Sequence, residues 1–327
     1  MATASNTLFA TCLVLSACGG GSSAPPPTPG PDTAQRSQAA SATAASSSNA
    51  CAAILPFYWE IGDAGGRLAG ASVNTAASST TYDASSPLNI ASASKWLYAA
   101  YVVERRVGAL TAEDIRFLNF QSGYTSFIAC SPGQTVDACL ATSTNGDYTA
   151  ANDGKFFYGG GHMQKHASLI GLGALGSAAL ASEIRAQLGT DIVLGYVQPQ
   201  PAGGVRTTPD DYARFLRKLL GGTLKMGAAL GSHPVCTNPL TCASAVSTPV
   251  PPTESWHYSV GHWVEDDPAV GDGAFSSAGA FGFYPWVDAS RQHYGIVARQ
   301  VSQLGAGFDS AFCGRLIRKA WLSGVAQ

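Results

Sequence analysis

Charge is scarce in this sequence. Only 12% of the 327 residues are charged, the formal net charge is −2, and no block of Lys or Arg stands out. A nucleic-acid partner therefore gets no electrostatic support. No apolar run beyond the N-terminus is long enough to span a bilayer. The chain has no Gly-x-Ser-x-Gly elbow and no His-Glu-x-x-His pair, so two common routes to hydrolysis are excluded. CxxC and Cys/His ligand spacings are missing too, and no metal is expected. Gly171 to Gly176 matches Gly-x-Gly-x-x-Gly, but it follows a helical segment rather than a strand. No nucleotide or other cofactor is expected there. What the chain does have is apolar material: 46% hydrophobic residues, enough for a sizeable core.

Leu8 to Ala17 is a short apolar run that ends in Leu15-Ser16-Ala17-Cys18. Small residues before a Cys fit a signal cleavage site. The segment resembles the lipobox of bacterial lipoproteins, which implies a signal peptide over 1–18 and lipidation of Cys18. It departs from that pattern in having no Lys or Arg before the run. An ordinary secretory signal with an incidental Cys is the alternative. Gly19 to Ala50 is rich in Gly, Ser, Ala, Pro and Thr, contains Pro25-Pro26-Pro27, and has almost no large apolar residue. It reads as a disordered tether. By the same resemblance, Gly19 after the Cys favours the outer membrane. The folded part then faces the periplasm or cell surface and meets the membrane through its lipid anchor.

With Cys12 and Cys18 set aside, the other six cysteines support export: Cys51, Cys130, Cys139, Cys236, Cys242 and Cys313. Cys130 with Cys139 and Cys236 with Cys242 would close short loops that carry turn residues. Cys51 would then meet Cys313. Sequence alone permits fifteen connectivities.

From Cys51 onward, Gly66 to Asn74 reads as a strand and Ala93 to Val107 has helical periodicity. Thr111 starts a short helix, and helical patterns return at His162 to Ile170 and Ser177 to Leu188. Thr208-Pro209-Asp210-Asp211 is a strong helix start, with that helix running to about Leu220. Trp256 to Val264, Ala274 to Val287 and His293 to Val301 read as three strands joined by turns, which implies an antiparallel sheet. Asp309 to Leu322 reads as a last helix. The expected class is α+β: an antiparallel sheet flanked by N- and C-terminal helices, with a mostly helical middle.

The chemistry centres on Ser92-Ala93-Ser94-Lys95. Ser92 stands where a helix begins, and one turn brings Lys95 beside it. A serine hydroxyl needs a base, and a desolvated lysine can serve. The alternative makes Ser92 an N-cap and Lys95 a solvated helix residue. His162, His262, Trp263 and Trp286 are candidate pocket residues, with an ordinary core role as the alternative.

Asn89-Ile90-Ala91-Ser92-Ala93-Ser94-Lys95-Trp96 resembles the active-site serine region of the serine β-lactamase and penicillin-binding superfamily. The class C-like branch is nearest: β-lactamases, family VIII esterases and 6-aminohexanoate-dimer hydrolases. The resemblance extends through Gly203 to Thr208, Tyr258 to Trp263 and Ala278 to Gly282. It implies a serine hydrolase domain over 51–327, with an α/β lobe at about 51–106 and 245–327 and a helical lobe at about 107–244. Tyr158-Gly159-Gly160 stands where the family has Tyr-x-Asn, so Tyr158 would share protons with Ser92 and Lys95. Gly160 and His162 would line the substrate site, but the usual Asn is replaced by Gly160. Ser277-Ala278-Gly279 stands where a Lys- or His-Thr-Gly motif is usual and also implies substrate contacts, with the cation gone. The backbone N–H groups of Ser92 and Ala280 would form the oxyanion hole.

Together these readings point to hydrolysis of carboxylic esters or linear amides through a Ser92 acyl-enzyme. The partner is a neutral small-molecule or oligomeric substrate. Arg291 or Arg299 could swing in as the missing cation. The alternatives are a β-lactamase or peptidoglycan DD-peptidase, and an inactive envelope-binding lipoprotein.

Overall fold

The computed structural model describes residues 1–2, 30–303 and 305–327. Cys18, nearly all of the expected signal peptide and the tether up to residue 29 lie outside the described residues.

The first element corrects the sequence reading. Residues 33–44, expected to be disordered tether, form helix α1 (Thr33–Ala44). Asp32 and Gln35 build a capping box at its start. Ala39, Ala40, Thr43 and Ala44 are buried. Large apolar residues are not required here, because alanine is the best helix former and small side chains let helices pack closely. The folded domain thus begins near Pro31, not Cys51.

Strands β1 (Phe57–Gly62) and β2 (Arg67–Val73) follow, and then β3 (Leu88–Asn89) leads through a tight turn at Ala91–Ala93 into α2 (Ser94–Arg105). The middle of the chain contains α3 (Ala112–Leu118), α4 (Val136–Leu140), β4 (Phe156–Phe157), α5 (Gly161–Ala167), α6 (Ser177–Leu188), β5 (Leu194–Tyr196) and β6 (Val205–Thr207). Next come α7 (Pro209–Leu220), α8 (Met226–Ala229), β7 (Val235–Cys236) and β8 (Ala245–Ser247). The chain ends with β9 (His257–Ser259), β10 (His262–Glu265), β11 (Ala274–Ser276), β12 (Tyr284–Val287), β13 (Tyr294–Ala298) and α9 (Ala306–Ser323).

The main sheet has eight strands in the order β2-β1-β13-β12-β11-β10-β9-β7. Its neighbouring strands pair antiparallel. Every residue of β12 and β13 is buried, so the sheet centre is covered on both faces. Side chains alternate along each strand. Tyr284 therefore faces α9, where Arg318 donates to its hydroxyl, while Tyr294 faces α7 and accepts from Arg217. The α9 helix also packs against α1.

Several helix boundaries follow the sequence signals directly. At α7, Thr208 Oγ1 accepts from the N–H of Asp211 and Pro209 occupies the first turn. By contrast, α2 is buried on all sides from Ser94 to Val103, as befits a central helix.

The C-terminal third is more finely divided than expected. Trp256 to Val264 is not one strand but the hairpin β9–β10, turning at Val260-Gly261 with positive φ at both. The C-terminal end of α3 fixes that turn: Val260 N–H donates to Asn119 Oδ1 and Gly261 N–H to Leu118 O. Ala274 to Val287 is likewise two strands, β11 and β12, with residues 277–283 between them.

All three disulfides read from the cysteine spacing form: Cys51–Cys313, Cys130–Cys139 and Cys236–Cys242. The first ties the helical turn at 50–54, just before β1, to α9.

Candidate active site

Ser92 lies in the tight turn between β3 and α2. Strand β3 is fixed by pairing with β6, and the Ile90 N–H donates to Val205 O at 3.1 Å. Ala91 then adopts a φ of 45°, a left-handed conformation that costs a residue with a Cβ free energy. The surroundings hold it there: Tyr212 donates to Ala93 O at 2.9 Å, and Ser94 Oγ accepts from Val205 N–H at 3.2 Å. The α2 N-cap position is Ala93, with no side-chain cap. Ser92 is therefore not spent on capping the helix.

Lys95 is 5% exposed. Its Nζ donates to Ser92 Oγ at 2.9 Å and to the Ala202 carbonyl at 2.8 Å. Both partners are neutral, and no carboxylate pairs with it among the described residues. Burial with no compensating charge pulls its pKa down to about 7.

Tyr158 follows β4, where the Phe156 and Tyr158 N–H groups donate to Ser244 O and Ser247 O. Its ring stacks on Trp263 with centroids 5.2 Å apart, and Lys95 Nζ lies 4.9 Å from its own centroid. Burial pushes its hydroxyl up to about 12. Ser92 and Trp263 pull the other way.

The segment after β11 closes the other wall. Ser277 N–H donates to Pro285 O and Gly279 N–H to Phe283 O. A Cβ on Gly279 would run into the Ile90 carbonyl, so only glycine lets this segment approach the serine turn. Ser277 Oγ donates to the Ser92 carbonyl at 3.2 Å.

Two cavities open on Ser92. The first, ≈ 330 Å³, is bounded by Ser92, Tyr158, Ala278, Ala280, Pro249 and Phe308. The second, ≈ 390 Å³, contains Ser92, Lys95, Gly160, Asn89, Gln198 and Gln200. Phe281, 36% exposed, borders both. Among the described residues, Lys95 is the only ionisable amine or acid in either lining. Arg291 and Arg299 do not supply a second cation. Arg291 donates to the Leu230 carbonyl at 3.0 Å, and Arg299 is buried against Ser310 and Ala306.

The structure thus brings together Ser92, Lys95, Tyr158, Gly160, Ser277, Ala278, Gly279 and Ala280. Other expected pocket residues are placed elsewhere. His162 is fully buried, with Ser122 Oγ at 2.7 Å from Nδ1 and the Phe157 carbonyl at 3.0 Å from Nε2. Burial holds it neutral, with a pKa of about 3. It anchors the Tyr158 segment from below and does not line either cavity. His262 stacks on Trp96 and accepts from the Gly231 N–H, again inside the core. Trp286 lies under Arg318. Trp263 enters the site only as the plate beneath Tyr158. The Ala202 carbonyl, Gln200 and Phe308 carried no sequence signal, because distant parts of the chain deliver them: the first two from the segment between β5 and β6, Phe308 from the first turn of α9.

Gly160 also has a local explanation. A Cβ there would press on the Phe127 ring, so an aromatic occupies the space that a larger residue would need.

No protein-family model and no curated protein matches the sequence. Solved structures do resemble it. A D-stereospecific amidohydrolase from Streptomyces sp. aligns with a TM-score of 0.57 at 14% identity, covering 90% of this chain and 100% of that one. EstCE1, a hydrolase with promiscuous acyltransferase activity, aligns at 0.56 and 13% identity, covering 89% and 98%. A β-lactamase from Mycobacterium bovis aligns at 0.52 and 14%, covering 82% and 96%. The antiparallel sheet, the buried helix that starts at the serine turn and these alignments place the chain in the serine β-lactamase and penicillin-binding protein fold.

Proposed function

We propose that the protein is a serine hydrolase that cleaves neutral carboxylic esters or linear amides through an acyl-enzyme on Ser92. The observation that carries this reading is the buried Lys95 amine, 2.9 Å from Ser92 Oγ and without a carboxylate partner. With a pKa of about 7, a large share of it is neutral at physiological pH and able to take a proton.

The steps follow from that placement. Ser92 Oγ attacks the carbonyl carbon while its proton passes to Lys95 Nζ. The backbone N–H groups of Ser92 and Ala280 face the developing oxyanion. Tyr158, neutral at this pH, protonates the leaving oxygen or nitrogen and is resupplied from Lys95. Water then attacks the acyl-enzyme, which gives the carboxylic acid and restores Ser92.

Ser277 supports the preference for neutral substrates. A bound carboxylate would meet no cation beyond Lys95, and an unpaired buried anion is costly. We also propose export, which the three disulfides support by fitting an oxidising compartment, and lipidation at Cys18, which rests on the sequence. Mass spectrometry of the mature N-terminus decides that point.

The activity is tested by labelling with a fluorescent phosphonate and a fluorescent penicillin, beside turnover of p-nitrophenyl butyrate and nitrocefin. Phosphonate labelling with ester turnover supports the proposal. Faster hydrolysis of nitrocefin replaces it with a β-lactamase reading, and no label at all replaces it with a binding protein.

A further inference from the structure

The three disulfides among the described residues differ in their access to solvent. Cys51, Cys313 and Cys139 are fully buried, and Cys130 nearly so. Cys236 and Cys242 are half-buried, and their bridge lies among exposed Thr241, Ala243 and Ser244. Thiol–disulfide exchange needs access to a sulfur, so a dissolved thiol reaches this bridge before the other two. The loop it closes is short, so it adds less to global stability than Cys51–Cys313 does.

The same bridge stands beside the strand that holds Tyr158. Cys236 ends β7, the last strand of the main sheet, which pairs with β9. Cys242 lies just before β8, and β8 pairs with β4 in a separate two-stranded ribbon. The Ser244 hydroxyl is 3.1 Å from Cys242 Sγ and 3.4 Å from Cys236 Sγ. Its carbonyl accepts from the Phe156 N–H at 2.7 Å, and the Ser247 carbonyl accepts from the Tyr158 N–H at 3.0 Å. Pro249, on the same segment, belongs to the wall of the first cavity. The bridge thus ties the ribbon to the main sheet, and the ribbon sets the backbone of Tyr158. Ser92 and Lys95 are held instead by β3, β6 and the Ala202 carbonyl.

We infer that Cys236–Cys242 is a positioning brace for Tyr158, and that its reduction weakens protonation of the leaving group while attack by Ser92 stays in place. The reductant is a low-molecular-weight dithiol. Its thiolate attacks one bridge sulfur, the S–S bond breaks, and the other cysteine departs as a thiolate that takes a proton. The reagent's second thiol then closes a disulfide within the reagent and releases the first cysteine. Two electrons pass from dithiol to bridge. The inference rests on the Ser92 acyl-enzyme reading, in which Tyr158 is the acid.

The test treats native protein with dithiothreitol, and alkylation with peptide mass spectrometry identifies the cysteines released. Values of kcat/KM are then measured for p-nitrophenyl butyrate, whose phenolate leaves without a proton, and for phenyl butyrate, whose more basic phenolate needs one. Cys236 and Cys242 should react before Cys130 and Cys139. Reduction should cost about tenfold on phenyl butyrate and much less on the p-nitrophenyl ester, because only the first depends on the acid. General loosening of the fold would lower both alike. The Cys236→Ser/Cys242→Ser variant should show the same uneven loss and no further response to dithiothreitol. If that variant does not fold, reduction of the wild-type protein carries the test. Equal losses on both esters, no loss, or earlier release of Cys130 and Cys139 overturns the brace and leaves the serine hydrolase standing. No turnover of either ester by the oxidised protein, together with no phosphonate labelling, overturns the hydrolase reading and the brace with it.

Discussion

Two of the buried cations, Arg318 and Lys95, are treated in opposite ways. Arg318 on α9 is completely enclosed, yet it meets Glu265, Asp272 and the Tyr284 hydroxyl at 2.8 Å each. Burial alone would lower its pKa, but Tyr284, Glu265 and Asp272 reverse that and hold it protonated. Lys95 on α2 is enclosed nearly as well and meets only a hydroxyl and a carbonyl. Its proton is correspondingly loose. The contrast separates two uses of buried charge. A fully paired cation joins helix to sheet, whereas an unpaired amine is left with a lowered pKa, which is what the proposed base requires.

The sharpest way to break the comparison is to remove the unpaired amine. Lys95→Ala should lower kcat/KM by roughly a thousandfold or more, as should Ser92→Ala. The double variant should be little worse than either, because the two act as one unit. Steady-state ester hydrolysis measures this, and retained activity in Lys95→Ala would remove the base from the mechanism.

Removing the paired cation should do the reverse. Arg318→Met takes the nearer cation from buried Glu265, leaving it the Tyr284 hydroxyl and Arg315 at 3.6 Å, and should destabilise the fold by about 3–5 kcal/mol. Turnover per folded molecule should change little, since Arg318 lines neither cavity. Urea unfolding beside active-site titration separates the two effects.

The pH dependence sharpens the same contrast. Lys95 falls from 10.5 in the unfolded chain to about 7 in the fold. Between those values the unfolded state binds more protons, so this group makes stability rise with pH across that window. Below about 7 both states are protonated, and the penalty for the buried charge is fully present. Lys95→Met should therefore be more stable than wild type at neutral pH, with the gap closing toward pH 10.5. Activity should fall as pH drops through about 7, where the base becomes protonated. Thermal melts and a pH–rate profile check both limbs.

The smallest expected effect comes from adding a cation. Ser277→Lys places a second positive charge across from Lys95 and should lower its pKa further. The acid limb of the pH–rate profile should shift down by a fraction of a unit, and preference should move toward anionic nitrocefin. An unmoved limb would mean that the new charge does not feel Lys95.

Much of this arrangement was legible in the chain itself. The Ser92–Lys95 pair could be read because one helical turn is a local distance. The start of α7 at Thr208-Pro209 could be read because caps are local hydrogen bonds. The cysteine pairs closed as their spacing suggested. The failures were non-local. Residues 33–44 looked like tether because α9, which covers them, lies at the other end of the chain. The hairpin turn at Val260-Gly261 was invisible because Asn119 and Leu118 fix it from α3. His162 read as a pocket residue from its neighbour Tyr158, but Ser122 and Phe157 turn it into the core.

By itself, the sequence determined which residues could carry the chemistry and how the local turns and helices set them one step apart. Only the tertiary structure decided how they are solvated and paired. A lysine becomes a base when water is excluded and no carboxylate replaces it. That condition depends on Ala202, which is 107 residues away in the chain, and on Tyr158 and Trp263, which belong to other elements again. Desolvation belongs to the packed assembly, and no single segment carries it.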